Sequence, residues 1–252
     1  MKSILITGGS GKVGFQLVKH FLKKNYKVVT TTRNKKKFQE NNLSKLESDI
    51  LKNLNVIEVD FIENEAIEKI SNYLVERKII LENIIHNARC LDFLKIEEDN
   101  SVSKENFSGE FYLDVIFPYH LNLSVIKQQD GELKNIVFVS SIYGIVAPTP
   151  GLYDDFNKSS PINYGVSKAA QIHLTKELAV RLGPETRVNC ISFGGIKGRA
   201  NDDFVKKYSS LTPLNKMLEE VDVVAPIEFL ISESSSNMTG QNLIIDGGWT
   251  IW

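Results

Sequence analysis

The sequence predicts a doubly wound α/β fold, in which a parallel sheet of about seven strands carries helices on both faces. Short runs rich in β-branched residues recur along the 252 residues, and stretches with helical apolar spacing separate most of them. The first such run leads straight into a glycine cluster, TGGSGKVG at residues 7–14, which then opens a helix. A strand, a glycine turn and a helix in that order are typical of the Rossmann type of this fold.

Seven runs have the composition of strands: Ser3–Thr7, Lys27–Thr32, Asn55–Val59, Asn83–His86, Asn135–Val139, Arg187–Ile191 and Asn242–Ile245. Apolar residues at helical spacing predict the intervening helices, among them Phe107–Lys127 and Tyr164–Leu182. Gly183 and Pro184 supply the stop for the second of these. We expect residues 1–252 to form a single domain.

Two segments, Ile142–Asn163 and Gly194–Leu214, lack a clear period and are long for loops in a compact domain. Such loops more often have a function, here a substrate wall or lid, than not. The alternative is a solvent-exposed insertion.

Composition excludes several classes of function. Lys and Arg total 30 against 31 Asp and Glu, so the net charge of -1 gives no reason to expect nucleic acid or an acidic membrane as a partner. The two cysteines, Cys90 and Cys190, show no metal-ligand spacing, and we expect no metal site. The first strand begins almost at once and no apolar run approaches the roughly 20 residues of a membrane span. A soluble, cytoplasmic protein is expected.

The glycine cluster is the candidate phosphate site. Glycines at positions such as 8, 11 and 14 permit a tight turn and let backbone N–H groups approach a pyrophosphate at the start of the helix. Ser10 can donate a further hydrogen bond. An ordinary turn is the alternative, but the strand before it and the helix after it favour a dinucleotide.

The end of the second strand bears on cofactor choice. NAD-selective sites usually carry an acid there for the ribose hydroxyls, whereas an Arg accommodates the 2′-phosphate of NADP. This chain has Arg33, followed by Asn34, and no acid. Lys12 in the glycine turn could reach the same phosphate. We therefore predict NADP(H) over NAD(H), the alternative being that both cations are solvated surface charges.

Tyr164 and Lys168 are four residues apart on a predicted helix, so both side chains lie on one face. A phenol is a poor base at neutral pH, and a nearby ammonium favours its phenolate form. Such a tyrosine can exchange a proton with an alcohol or carbonyl while hydride moves to or from a nicotinamide. Ser141, at the end of the fifth strand, could hydrogen-bond the same oxygen. The spacing alone is more often just a packed pair.

Taken together, these motifs resemble the short-chain dehydrogenase/reductase family over essentially the whole chain. The resemblance rests on Thr7-Gly8 with Gly14, Asp60, Asn87-Ala88, Ser141, Tyr164 with Lys168, Gly194-Gly195-Ile196 and Asp246-Gly247-Gly248. It implies that Tyr164 is the acid/base, that Lys168 binds the ribose and tunes the tyrosine, and that Ser141 positions the substrate oxygen. Asp114 takes the place of the asparagine in the family's proton relay.

The resemblance also implies the residues around the cofactor and the substrate. The expected cofactor-binding residues are Gly8, Ser10, Gly11, Lys12, Val13, Gly14, Arg33, Asn34, Asp60, Phe61, Asn87, Ala88, Tyr164, Lys168, Gly194 and Ile196. The expected substrate-binding residues are Ser141, Arg89, Tyr143 and Tyr153.

The chain departs from the family pattern at several positions. Lys12 replaces the middle glycine of the usual turn, Arg89 replaces the glycine of an NAG motif, and Asp114 puts a charge where the relay has an amide. Ser141 precedes Tyr164 by 23 residues, a longer separation than usual. This long segment resembles a subgroup found with bacterial surface-sugar synthesis, which implies a polar, sugar-like substrate. Arg89 would pair with a substrate carboxylate or phosphate, or else with an acid such as Asp114.

An NADP(H)-dependent oxidoreductase acting on a hydroxyl or ketone is therefore the leading function. A nucleotide-sugar epimerase or dehydratase shares the chemistry, but such enzymes generally carry a larger C-terminal substrate domain. A non-catalytic nucleotide-binding module is the third alternative. By resemblance, helices Phe107–Lys127 and Tyr164–Leu182 pack between subunits of a homodimer or homotetramer, with the tail Trp249–Trp252 at an interface.

Overall fold

The strands all run parallel in one sheet. In the computed structural model, which describes residues 1–129, 131–198 and 200–251, they are β1 Ser3–Ile6, β2 Lys27–Thr32, β3 Leu54–Glu58, β4 Asn83–His86, β5 Asn135–Ser141, β6 Arg187–Phe193 and β7 Asn242–Ile245. Their order is β3-β2-β1-β4-β5-β6-β7. The order reverses direction next to β1, and the crevice at such a switch point is where doubly wound folds bind ligands. The predicted fold class is confirmed.

Helices cover both faces of the sheet. Within the described ranges the α-helices are α1 Lys12–Lys23, α2 Lys35–Asn41, α3 Ser48–Leu51, α4 Ala66–Glu76, α5 Lys104–Phe111, α6 Phe117–Gln129, α7 Phe156–Ser159, α8 Ile162–Leu182, α9 Asp202–Ser210 and α10 Val224–Leu230. None of the helices in this part of the chain is long and apolar enough to cross a membrane.

The core forms two layers because side chains alternate across each strand. Leu5 of β1 packs on one face with Ile70 of α4 and Leu178 of α8. Its neighbours Ile4 and Ile6 pack on the other face, against α1 and α10. All three β1 residues are fully buried, as expected for a central parallel strand.

The predicted helix Phe107–Lys127 forms as two α-helices, α5 and α6, joined by a π-helical turn at Tyr112–Ile116. Pro118 explains the interruption, because it has no N–H to donate to the carbonyl of Asp114 four residues earlier. The Gln171 side chain of α8 donates to that carbonyl instead, at 3.1 Å. The π turn thus places Asp114 against α8.

The segment Gly194–Leu214, predicted as irregular, contains helix α9, so that prediction was wrong in part. Asn201 caps the helix by accepting from the N–H of Phe204 at 2.8 Å, and two acidic residues occupy its first turn. The segment Ile142–Asn163 likewise contains short helical turns, including α7, and ends in the first residues of α8.

Candidate active site

Thr7 joins the ends of two central strands at the carboxyl edge of the sheet. Its hydroxyl oxygen accepts from the N–H groups of Asn87 at 2.9 Å and Ala88 at 3.0 Å. The Asn87 amide returns a bond to the Thr7 carbonyl at 3.1 Å. The β1 turn and the segment after β4, both predicted to bind cofactor, are therefore held side by side.

The glycine turn has the features of an anion site. Gly8 donates to the Thr31 hydroxyl at 3.0 Å and Gly11 donates to the Gly8 carbonyl at 3.1 Å, which closes the turn. Helix α1 then starts after Gly11, and no side chain in the described chain caps it. Its first-turn N–H groups and the positive end of its dipole point out of the turn. A dinucleotide pyrophosphate fits this arrangement.

Lys12, predicted to reach the 2′-phosphate of NADP, contacts a different segment. Its ammonium donates to the Gly198 carbonyl at 2.5 Å and lies 3.4 Å from Glu220. Lys12 therefore links the glycine turn to the chain that follows β6. Val13 beside it packs its side chain against the core.

Arg33 lies at the end of β2 and bridges to the segment after β4. Its guanidinium contacts Asp92 at 3.1 Å and the Cys90 sulfur at 3.5 Å, and both Arg33 and Asp92 are largely exposed. The hydrogen bond from Arg33 lowers the pKa of the Asp92 carboxyl. A 2′-phosphate at Arg33 would compete with this exposed ion pair.

The neighbouring predicted cofactor residues mostly serve the fold. Ser10 accepts a hydrogen bond from Thr32 at 3.1 Å, and Asn34 caps α2 through the N–H of Lys37. Asp60 accepts weakly from a nearby backbone N–H at 3.4 Å. The Phe61 ring is buried and stacks on a core ring 4.0 Å away, so its side chain is part of the core.

The segment after β6 closes the other side of the crevice. Gly194 donates to the Ile245 carbonyl at 2.9 Å, and Ile196 pairs with Leu218 in an isolated parallel bridge. Tyr208 of α9 accepts from the N–H of the glycine between them at 2.7 Å. Helix α9 therefore fixes the course of this segment.

Lys168 is held by contacts from three directions. Its ammonium lies 2.9 Å from Asp114, 3.2 Å from the Val139 carbonyl and 5.8 Å from the centre of the Tyr164 ring. Burial by itself disfavours the charge, but the Asp114 carboxylate, followed by Tyr164, outweighs it and raises the pKa of Lys168. Lys168 is therefore a buried ammonium beneath the half-buried Tyr164.

The end of β5 lies directly on this pair. Strand β5 extends through Ser141, whose hydroxyl accepts from the N–H of Tyr143 at 3.2 Å, and the Ser140 hydroxyl donates to the Lys168 carbonyl at 3.1 Å. A side chain on Gly144 would stand 2.8 Å from the backbone of Lys168. The chain needs glycine there to bring Ser141 to the N-terminal end of α8.

Polar and aromatic groups surround Tyr164. The Arg89 guanidinium lies 4.5 Å from the centre of its ring, and the Tyr143 ring meets it edge-on at 6.5 Å. Tyr143 and Tyr153 share a hydroxyl–hydroxyl bond of 2.6 Å. Burial raises the pKa of both phenols, which keeps them protonated. Within the described chain, no carboxylate lies within ion-pair distance of Arg89, so the alternative pairing with Asp114 is not observed.

The two long segments predicted as a substrate wall pack against each other. Tyr153 of the first lies 5.9 Å from Phe204 of α9, and Asp154 pairs with Lys207 at 3.1 Å. Trp249, in the tail Trp249–Trp252 that is expected at an interface, stacks on Tyr208 at 4.4 Å inside its own chain. Its large apolar surface is buried there, while Trp252 lies outside the described residues.

Sequence patterns missed two side chains of this site, Glu110 and Gln171. Glu110 is buried one helical turn before Asp114, and Gln171 accepts from the Lys168 ammonium at 3.4 Å. Their spacing could have indicated them, because residues three or four apart lie on the same face of a helix. Glu110 lies four residues before Asp114, and Gln171 lies three residues after Lys168.

Comparisons with known proteins agree with this geometry. The family model described as enoyl-(acyl carrier protein) reductase matches residues 10–250. The chain is 27% identical to post-translational flagellin modification protein A of Campylobacter coli, over 98% of each protein. A short-chain dehydrogenase from Leptospira borgpetersenii with bound NAD+ superposes with a TM-score of 0.85 at 30% identity, over 99% of this chain and 92% of that one. ElxO with NADP bound superposes with a TM-score of 0.84 at 27% identity, over 100% and 99%.

Proposed function

Since the chain belongs to the short-chain dehydrogenase/reductase family of nicotinamide-dependent oxidoreductases, we propose that it is an NADP(H)-dependent enzyme for a polar, sugar-like metabolite. It transfers hydride between the nicotinamide and a hydroxyl or ketone, with Tyr164 as the acid/base. One observation carries the proposal, namely the Lys168 ammonium, buried on Asp114 and 5.8 Å from the Tyr164 ring centre.

The bound nicotinamide supplies or accepts the hydride, and the side chains handle the proton. In reduction the Tyr164 hydroxyl gives its proton to the carbonyl oxygen, and in oxidation it takes the proton of the alcohol. The Lys168 charge favours the phenolate that results. The Ser141 hydroxyl donates to the same substrate oxygen and holds it near Tyr164. Asp114 keeps Lys168 charged. By the family resemblance, Asp114 itself occupies the position of the relay amide.

Cofactor preference follows from the end of β2. Arg33 offers a guanidinium where NAD-selective sites offer an acid, and its partner Asp92 is exposed and easily exchanged for a phosphate. Known structures with this fold include NAD- and NADP-bound examples, so the preference rests on Arg33 itself. Lys12 supports the turn from the other side through Gly198 and Glu220.

A polar substrate suits the groups around Tyr164. The Arg89 guanidinium and the Tyr143 and Tyr153 hydroxyls offer several hydrogen bonds, and Arg89 can pair with a carboxylate or phosphate. The similarity to a flagellin modification protein supports the same substrate class. We place the enzyme in the cytoplasm.

We also propose a homodimer or homotetramer. Apolar side chains line the outer faces of the two long helical segments: Ile116, Leu123, Ile162, Val166 and Val180, each at least 38% exposed. Burying such a stripe against a second copy would remove it from water.

The test is a titration of NADPH and NADH, followed by turnover of a panel of keto-sugars with and without an acidic group, and of one keto-acyl thioester. Tyr164→Phe should lose activity by roughly a hundredfold or more, and Tyr73→Phe, a remote tyrosine bonded to Asn55, should retain it. Equal turnover by wild type and Tyr164→Phe would reject the acid/base assignment. Preference for the thioester would reject the polar substrate.

A further inference from the structure

Helix α5 and its π turn run beside helix α8, and side-chain amides link them at two levels. Asn163 of α8 donates to the Asn106 carbonyl of α5 at 3.1 Å. Further along both helical segments, Gln171 donates to the Asp114 carbonyl at 3.1 Å. The two segments are therefore in fixed register over eight residues of each.

Glu110 and Ser167 occupy the level between these two links. Glu110 lies midway between Asn106 and Asp114, four residues from each, and Ser167 lies midway between Asn163 and Gln171 in the same way. Each therefore lies on the face of its own helical segment that carries the two links. The exposed fractions of Glu110 and Ser167 are 1% and 0%. In the described chain, Glu110 Oε1 and Ser167 Oγ have no hydrogen-bond partner.

The contact between these two segments has too few hydrogen-bond donors. Four buried polar atoms there lack a partner within the described chain: Glu110 Oε1, Asp114 Oδ2, Asn163 Oδ1 and Ser167 Oγ. With both carboxyls ionised, three of the four only accept, and Ser167 alone has a proton to give. A buried polar atom without a partner costs stability. One proton on Glu110 turns an acceptor into a donor and reduces the mismatch.

We propose that Glu110 is a positioning residue that carries a proton up to neutral pH. In that state it is a neutral carboxylic acid, shared toward Asp114 and Ser167, so that the Lys168 ammonium is opposed by one carboxylate and not by two. Its influence on Tyr164 rests on the function proposed above, but its protonation does not.

The charged groups facing Glu110 agree with this assignment. Asp114 faces it from the π turn, Lys168 from α8 beside Tyr164, and Arg89 from the segment after β4. Burial, and after it the Asp114 carboxylate, raise the pKa of Glu110 to about 7, whereas Lys168 and Arg89 act in the opposite direction. Above that pH a second negative charge forms beside Lys168.

The first test uses the protein without substrate or cofactor. Infrared spectra of wild type should show a protonated carboxyl at pH 6 that ionises near pH 7, and Glu110→Gln should lack this signal. The exposed Glu105→Gln is the matched control and should keep it. No protonated carboxyl in wild type at pH 6, or the same signal in Glu110→Gln, would overturn the proposal. The wild-type titration decides this even if Glu110→Gln does not fold.

The second test is the pH profile of alcohol oxidation, which needs the phenolate. Glu110→Gln should match wild type below about pH 7, where Glu110 is neutral. Above that pH its rate should exceed that of wild type by up to about tenfold, because the second carboxylate no longer forms beside Lys168 and opposes the phenolate. A merely structural role would lower the rate equally at every pH, and that outcome contradicts the proposal. Should neither protein turn over any substrate, the proposed function fails, and the infrared test still decides the state of Glu110.

Discussion

Replacing Gly14 by Ala is a direct test of the glycine turn as the cofactor site. A methyl group at Gly14 would stand 2.3 Å from the Gly8 carbonyl oxygen and 2.9 Å from the Asn87 amide nitrogen. Ordinary contacts begin near 3.4 Å. The Gly8 carbonyl belongs to backbone that Thr31 and Gly11 hold in place, so it cannot rotate away. The turn must open by about 1 Å.

The size of the effect follows from that displacement. Overpacking of this kind costs about 1–3 kcal/mol, which for a chain of this length lowers Tm by roughly 3 to 10 °C. Opening the turn also withdraws a backbone N–H from the pyrophosphate. One hydrogen bond to a charged group contributes about 1.5–3 kcal/mol, so we expect Kd for the cofactor to rise about 10- to 100-fold.

Gly151→Ala is the matched control, because Gly151 lies outside the glycine turn. A methyl group there meets no atom within 4 Å, and the Gly151 backbone does not have a positive φ. Thermal unfolding and fluorescence titration with NADPH should show little change in Gly151→Ala and a clear loss in Gly14→Ala. Wild-type cofactor affinity in a folded Gly14→Ala protein would refute the assignment of this turn.

Two further predictions concern charges. Arg33→Ala should weaken NADPH binding about tenfold and leave NADH binding within about twofold. Lys12→Ala should leave the ratio of the two affinities unchanged, because the Lys12 ammonium contacts Gly198. An equal loss of affinity for both cofactors in Arg33→Ala would contradict the preference for NADP(H). Glu110→Gln should match wild type in stability below pH 4.5 and become more stable by up to about 3 kcal/mol above pH 7. The reason is that a carboxyl whose pKa is raised from 4.5 to about 7 on folding stabilises the fold fully below pH 4.5 and loses that contribution as the pH rises through 7. Denaturant unfolding at a series of pH values measures the difference, and a constant difference across the range would count against a buried, titrating Glu110.

The strands could be predicted because buried strands are rich in β-branched and apolar residues. Strands β2, β4 and β7 have the predicted bounds, and β5 extends two residues further, through Ser140 and Ser141. Serine carries no strand signal, and its conformation here follows from pairing with β6. Helix α9 had recognisable signals, a capping Asn201 and two acids after it, but the glycines before the helix and Pro213 after it favoured an irregular segment.

The partners of Lys168 could not be predicted in the same way. Its contact with Asp114 joins residues 54 apart, and it depends on a π turn that Pro118 imposes. The burial of Glu110 depends on which face of α5 meets α8, and α5 is too mixed in composition to indicate its buried face. Lys12 was predicted from its charge and its place in the glycine turn, whereas its hydrogen bond goes to Gly198, which lies 186 residues further along.

Two departures from the family pattern around Tyr164, Asp114 and Arg89, carry opposite charges. By the family resemblance, Asp114 adds one negative charge where the relay has an amide, and Arg89 adds one positive charge where the family has glycine. The Asp114 carboxylate lies 2.9 Å from the Lys168 ammonium and offsets part of the positive charge that would stabilise a phenolate. The guanidinium lies 4.5 Å from the Tyr164 ring centre, nearer than the ammonium at 5.8 Å, and restores positive potential there. Either change alone would alter the charge that Tyr164 experiences, and the two in one chain largely cancel. A protonated Glu110 adds no further charge to this set, so Asp114 remains the one carboxylate that opposes Lys168 in this group.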